Sequence, residues 1–273
     1  MSVRDVKLEV PEAKGESLQL DLDRPTAVEI FDQVARNGRH ELKRTNLTLA
    51  LSGIVGGLTM GLTPLAVSIV AARLGGGSAA QIAGFLLYPL GFIAVILGRG
   101  QLFTENTLYP VALILAERRH VLNTARLWGI VFPANVIGTL LFALLAVRTA
   151  ALDPPVVQAL TRMGMEAAAP SMTHIFWSAV MGGWIIAMMA WLVSGSHSIT
   201  GSVAVIWMLT FVVGLAHFAH CIATSGEILS AVLSHALPWK AYARWIFPAV
   251  CGNIAGGVVL VTLFEYGQTR LRS

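Results

Sequence analysis

The chain has 273 residues, of which 55% are hydrophobic and 12% charged, and its mean hydropathy is +0.69. A soluble domain carries roughly a quarter charged residues, so a water-soluble globule is excluded and the apolar excess belongs in lipid. The net charge of +4 does not point to nucleic acid, because the basic residues sit in short clusters between apolar runs, the pattern that orients membrane proteins.

Met1 to Arg24 is polar and of mixed charge, without a basic stretch leading into an apolar one, so no cleavable signal peptide is expected. From Thr26 to Arg44, Val28, Ile30, Phe31, Val34, Ala35 and Leu42 recur among charges at helical spacing. That spacing predicts an amphipathic helix at the membrane surface or packed on the protein's own cytoplasmic face. Six apolar segments follow, near Asn46–Ala72, Gln81–Ala116, Leu127–Ala150, His174–Val193, Ser198–His235 and Tyr242–Phe264. Each is long enough to cross about 30 Å of hydrocarbon. The predicted fold is all-α integral membrane with six transmembrane helices. Its parts are a cytoplasmic N-terminal segment over 1–45, a transmembrane domain over 46–265 and a cytoplasmic tail over 266–273. Lys and Arg number nine on the side that holds both termini and five on the other, which places the termini in the cytoplasm. Trp128, Trp239, Tyr242 and Trp245 lie at segment ends, where aromatic belts form. Cys221 and Cys251 lie inside apolar segments and imply no disulfide.

The second and fifth segments are too long for one span, and each carries polar residues near its middle. These are Arg99, Gln101, Thr104, Glu105 and Asn106 in one, and His217, His220, Thr224, Ser225 and Glu227 in the other. Such groups are expensive in lipid unless they face a cavity or a partner, so both helices are expected to break there. The third and sixth segments repeat a motif, Asn135-Val136-Ile137-Gly138 and Asn253-Ile254-Ala255-Gly256, with the asparagines 118 residues apart. The same offset carries Thr104 onto Ile222, inside the second interruption. Three spans per half is an odd number, so the halves run in opposite orientations, as inverted repeats with paired broken helices at the midplane. Free N–H groups at the second half-helices would turn two positive dipole ends toward a central anion. Thr104 is expected to cap one of these half-helices, and Thr224 or Ser225 the other.

His220 is a candidate proton or hydrogen-bond donor to a weak-acid anion. His217, three residues earlier and on the same face if the helix continues, is the alternative. With Glu227 the two histidines do not make a convincing ligand set, so no metal or cofactor is expected.

Leu102-Phe103-Thr104 at the first break resembles the Leu-Phe-Thr of the formate/nitrite transporter family, and His220-Cys221-Ile222-Ala223 resembles that family's His-x-(Val or Ile)-Ala. The paired Asn-x-x-Gly motifs fit as well. The resemblance implies an aquaporin-like fold, a pore in each protomer, a symmetric pentamer and a multi-pass protein of the bacterial inner membrane, in contact with lipid and not an enzyme. It implies passage of a small monovalent anion or its conjugate weak acid, with His220, Thr104 and Thr224 facing the pore and Leu102 and Phe103 as candidate constrictions. This sequence departs from the family pattern at Ala219, where a Glu or Gln is usual, and at Thr224, where an Asn is usual. Ala167 to Trp177 holds no Lys or Arg, so the family's vestibule lysine has no counterpart, and a vestibule without a fixed cation is expected. Arg99 and Glu105 make the first break more polar than the family pattern. They admit a second reading, a channel for a small neutral or other polar solute in the same fold. A third reading is a non-transporting membrane enzyme or regulatory subunit that uses His217, His220 and Glu227.

Overall fold

The computed structural model describes residues 25–75 and 77–270; the first 24 residues of the N-terminal segment, residue 76 and residues 271–273 of the tail lie outside the described residues. All regular structure among them is helical. α1 (Ala27–Leu42) opens on a capping box, in which Thr26 Oγ1 accepts the Glu29 N–H and Glu29 Oε2 accepts the Thr26 N–H at 2.7 Å. Its apolar side, Phe31 and Val34, is buried against Leu108, Ala112, Ala187, Trp191 and Val261. Of the two surfaces the amphipathic pattern allows, α1 therefore uses the protein's own. Gly38 lies directly against the Tyr109 carbonyl, where any Cβ would collide. At its C-terminal end Arg126 donates to the carbonyls of Leu42 (2.8 Å) and Arg44 (3.3 Å), neutralising the negative end of the helix.

α2 (Asn46–Met60) and α3 (Leu62–Arg73) join through helical Gly61 into a single rod. α4 (Ser78–Phe85) and α5 (Leu90–Leu97) lead to a break, and α6 (Tyr109–Glu117) follows it. α7 (Val121–Arg148) packs along α2, and α8 (Pro154–Ala168) fills the connection to α9 (Met172–Ser194). α10 (Ile199–Leu215) and α11 (Ala223–Leu233) flank a second break. α12 (Trp239–Ala255) packs along α9 and continues through a π-helical stretch, Gly256–Leu263, into α13 (Phe264–Arg270). Four helices among the described residues are long and apolar enough to cross a membrane: Asn46–Arg73, Val121–Arg148, Met172–Ser194 and Trp239–Thr269. Those bounds enclose most of the first, third, fourth and sixth apolar segments. α8 turns Val156, Leu160, Gly164 and Ala168 inward, a four-residue spacing that buries one stripe of a surface helix.

A charged clasp ties α1 to the turn between α6 and α7. Glu117 pairs with Arg39, Arg119 and His120. Together they hold its carboxyl well below the usual carboxylate range, at about 2. A depressed folded value means that the clasp stabilises the protein above the unfolded value of about 4.3 and is lost as pH falls toward 2. Proteolysis or hydrogen exchange of α1 is therefore expected to accelerate between about pH 4 and 2 in the parent chain and to be accelerated already at neutral pH in Glu117→Gln. Equal α1 protection in the two proteins at pH 7 would contradict a stabilising clasp.

Candidate functional site: the two chain breaks

Both breaks begin the same way. Arg99 and His217, which follow α5 and α10, take the left-handed conformation, with φ of +57° and +53°. In each case the next residue's N–H returns to a carbonyl five residues back, Gly100 to Val95 (2.9 Å) and Phe218 to Val213 (3.0 Å), the bond that closes a helix C-terminus. Arg99 and His217 therefore turn the chain out of its helix. His217 does not share a helical face with His220, as continuous helix would require. Its ring meets Phe85 edge-on at 5.0 Å, and Arg99 is exposed.

Two asparagines hold the open backbone. Asn135 Oδ1 accepts the Phe103 N–H at 2.8 Å, while its Nδ2 donates to the carbonyls of Gly53 (2.7 Å) and Gln101 (2.8 Å). Asn253 does the same with the Cys221 N–H (2.8 Å) and the carbonyls of Ala179 (2.7 Å) and Ala219 (2.9 Å). Each amide thus satisfies one N–H and one carbonyl that leaving the helix would orphan inside an apolar protein, and anchors them to a carbonyl of a neighbouring helix, α2 or α9. Such approach requires bare backbone: a Cβ on Gly57 would strike Asn135, and one on Gly183 would strike Asn253.

The pins bring Thr104 and His220 together. Both are buried, and Thr104 Oγ1 lies 2.7 Å from His220 Nε2. The Ala223 N–H donates to His220 Nδ1 at 3.0 Å, so Nδ1 is the acceptor and Nε2 carries the hydrogen that Thr104 Oγ1 accepts. The Phe92 ring packs across the imidazole, with centroids 5.0 Å apart. The expected hydroxyl caps do not form. Thr104 makes no capping bond to the short 3-10 turn Glu105–Thr107, because its hydroxyl is engaged by His220. α11 has no side-chain cap either. Thr224 Oγ1 instead accepts the preceding His220 N–H at 3.4 Å, and Ser225 Oγ donates to the Cys221 carbonyl. Leu102 and Phe103 are buried in the apolar core, Phe103 between Trp128 and Phe132 with ring centroids 5.8 and 5.1 Å away.

Toward α8, a cavity of about 500 Å³ opens, lined by Arg162, Glu166, His174, His217, Thr224 and Glu227 among others. Arg162, on α8, brings a guanidinium to this cavity, whereas the stretch 167–177 holds no Lys or Arg. The residue reaches the cavity from a separate helix. Toward α1, buried polar groups close ranks: Gln101 Nε2 donates to Glu41 Oε2 (2.7 Å), Asn106 Nδ2 to Gln101 Oε1 (2.9 Å), and Trp128 Nε1 to the Asn106 carbonyl (2.9 Å). Glu105 is buried in the adjoining turn. Among the described residues no group of three or more His, Cys, Asp or Glu could hold a metal.

The family model for formate/nitrite transporters matches residues 28–267. The chain belongs to the formate/nitrite transporter family. Membership makes it a membrane channel or transporter rather than an enzyme. The inner membrane protein YfdC of Escherichia coli (strain K12) is 31% identical over 263 residues, 94% of this chain and 84% of that one. Two solved structures share the fold. One, described as an FNT family ion channel, has a TM-score of 0.79 at 16% identity over 88% of this chain and 98% of the other. The second, a pentameric formate channel with formate bound, has a TM-score of 0.71 at 20% identity over 83% and 98%. Arg162, Phe92 and Glu41 escaped the sequence reading, since nothing local marks a residue that reaches the site from a separate element.

Proposed function

We propose that the chain is a channel of the bacterial inner membrane through which a small monovalent anion of formate type crosses as its conjugate weak acid. In this reading six spans form two inverted three-helix repeats, with α4–α6 and α10–α11 as the broken helices, both termini cytoplasmic and a pore in each protomer of a homopentamer. The observation that carries it is the Thr104–His220 contact between two breaks pinned by equivalent asparagines. The formate-bound pentamer supports both substrate class and assembly, and YfdC supports the compartment.

Helix ends contribute only about 0.3 to 1 kcal/mol each, or up to about 2 when partly buried, to an anion. Desolvating an ion costs several kcal/mol. The neutral acid is therefore the species that passes the dry centre. His220 acts on it through Thr104: its Nε2–H is donated to Thr104 Oγ1, which leaves the Thr104 hydroxyl hydrogen to donate to the acid, and His220 is not itself a proton donor because a second ring proton would face the Ala223 N–H. Uptake of formate, nitrite, acetate, hydrosulfide and glycerol into proteoliposomes tests the reading. Saturating, pH-dependent formate flux with little glycerol flux is expected; glycerol flux without flux of any weak acid would overturn it in favour of a neutral-solute channel.

A further inference from the structure

If His220 is held in one neutral tautomer, the proton that neutralises the anion comes from another group. Glu227 lies on α11 one helical turn beyond Thr224, and both line the cavity. Glu227 is only 7% exposed, yet its carboxyl has no ion-pair partner among the described residues. Its backbone is fixed, because Gly164 of α8 lies so close to the Glu227 carbonyl that a Cβ there would collide. An ionisable group buried in a membrane protein, without an ion-pair partner among the described residues and lining a cavity of about 500 Å³, has the placement of a group that exchanges protons.

We propose that Glu227 is the proton-exchanging group of the cavity, a reading that rests on weak-acid passage as proposed above. The Glu227 carboxylic acid gives its proton to the carboxylate of an entering anion. The O–H bond of the side chain breaks as that of the substrate acid forms, and the neutral acid moves on toward Thr104 and His220. The resulting Glu227 carboxylate takes a proton from hydronium in the cavity, so no other reactant is consumed. Arg162 and Glu166 from α8, His174 from the start of α9, His217 from the second break and Tyr88 from the turn before α5 face the same cavity. The first of these draws the anion in, and the others set the local field. No charged residue of α2, α3, α7 or α12 is among those that line it.

The test compares formate with formamide, a neutral solute of similar size, in proteoliposomes holding the full-length parent chain, Glu227→Gln or Glu227→Asp, between about pH 5 and 8. Glu227→Gln is expected to lower formate flux roughly tenfold more than formamide flux and to flatten its pH dependence. Glu227→Asp is expected to recover part of both. Formamide flux in the Gln variant shows that its pore is assembled. A Gln variant whose formate flux keeps the parent's rate and pH profile would overturn the role of Glu227 while leaving weak-acid passage standing. A parent chain that carries formamide but no formate would overturn both.

Discussion

Asn135→Ala and Asn253→Ala are each expected to destabilise the detergent-solubilised protein by about 2 kcal/mol or more, since each leaves the N–H and the carbonyl of one break, two buried main-chain groups, without a partner and one such group costs about 1–3 kcal/mol. In both pins one amide bonds an N–H and a carbonyl of the non-helical break, and its second amide hydrogen goes to a carbonyl inside a neighbouring helix, Gly53 of α2 or Ala179 of α9. The effect should be similar at the two sites, because the bonds are equivalent. Leu145→Ala on α7, half exposed at its outer face, serves as the comparison and should change stability far less. Thermal unfolding followed by circular dichroism reads the difference. If either asparagine variant melts with the parent, the amides are not what holds the breaks open.

Thr104→Val and His220→Leu are expected to lower formate flux in proteoliposomes by roughly tenfold or more each, the kinetic equivalent of losing one buried hydrogen bond with its partner left unmatched. Valine keeps the shape of Thr104 but cannot accept the Nε2 hydrogen. Leucine also strands the Ala223 N–H, so His220→Leu should be the more severe. Because the two side chains act through one bond, the double variant should lose little more than His220→Leu alone. Losses that multiply would mean that Thr104 and His220 meet the solute independently.

Much of this arrangement was legible in the sequence. Polar residues stranded in apolar segments announced the breaks, and the 118-residue spacing of the asparagines placed Thr104 opposite the loop of His220. The burial cost of unpaired polar groups is severe enough to show in composition. The local rules failed where a distant partner outbid them. A threonine before a helix reads as a cap, but the hydroxyl of Thr104 finds an imidazole 116 positions away. The three-residue spacing of His217 and His220 reads as one face, but the left-handed turn at His217 ends the helix between them. α8 is short and amphipathic, below the length a hydropathy reading registers, so Arg162 entered the cavity unannounced. The Gln101–Glu41 bond joins residues 60 positions apart and has no motif.

The two asparagine pins grip only main chain, and main chain is the same whatever residue it belongs to. Side chains at positions 101–104 and 219–222 can thus change without loosening the asparagine bonds that fix their backbone, as Ala219 illustrates. Such a scaffold separates the inheritance of shape from the inheritance of selectivity. It accounts for a fold held in common with two solved channels at 16% and 20% identity, and it leaves the side chains of the breaks open to change.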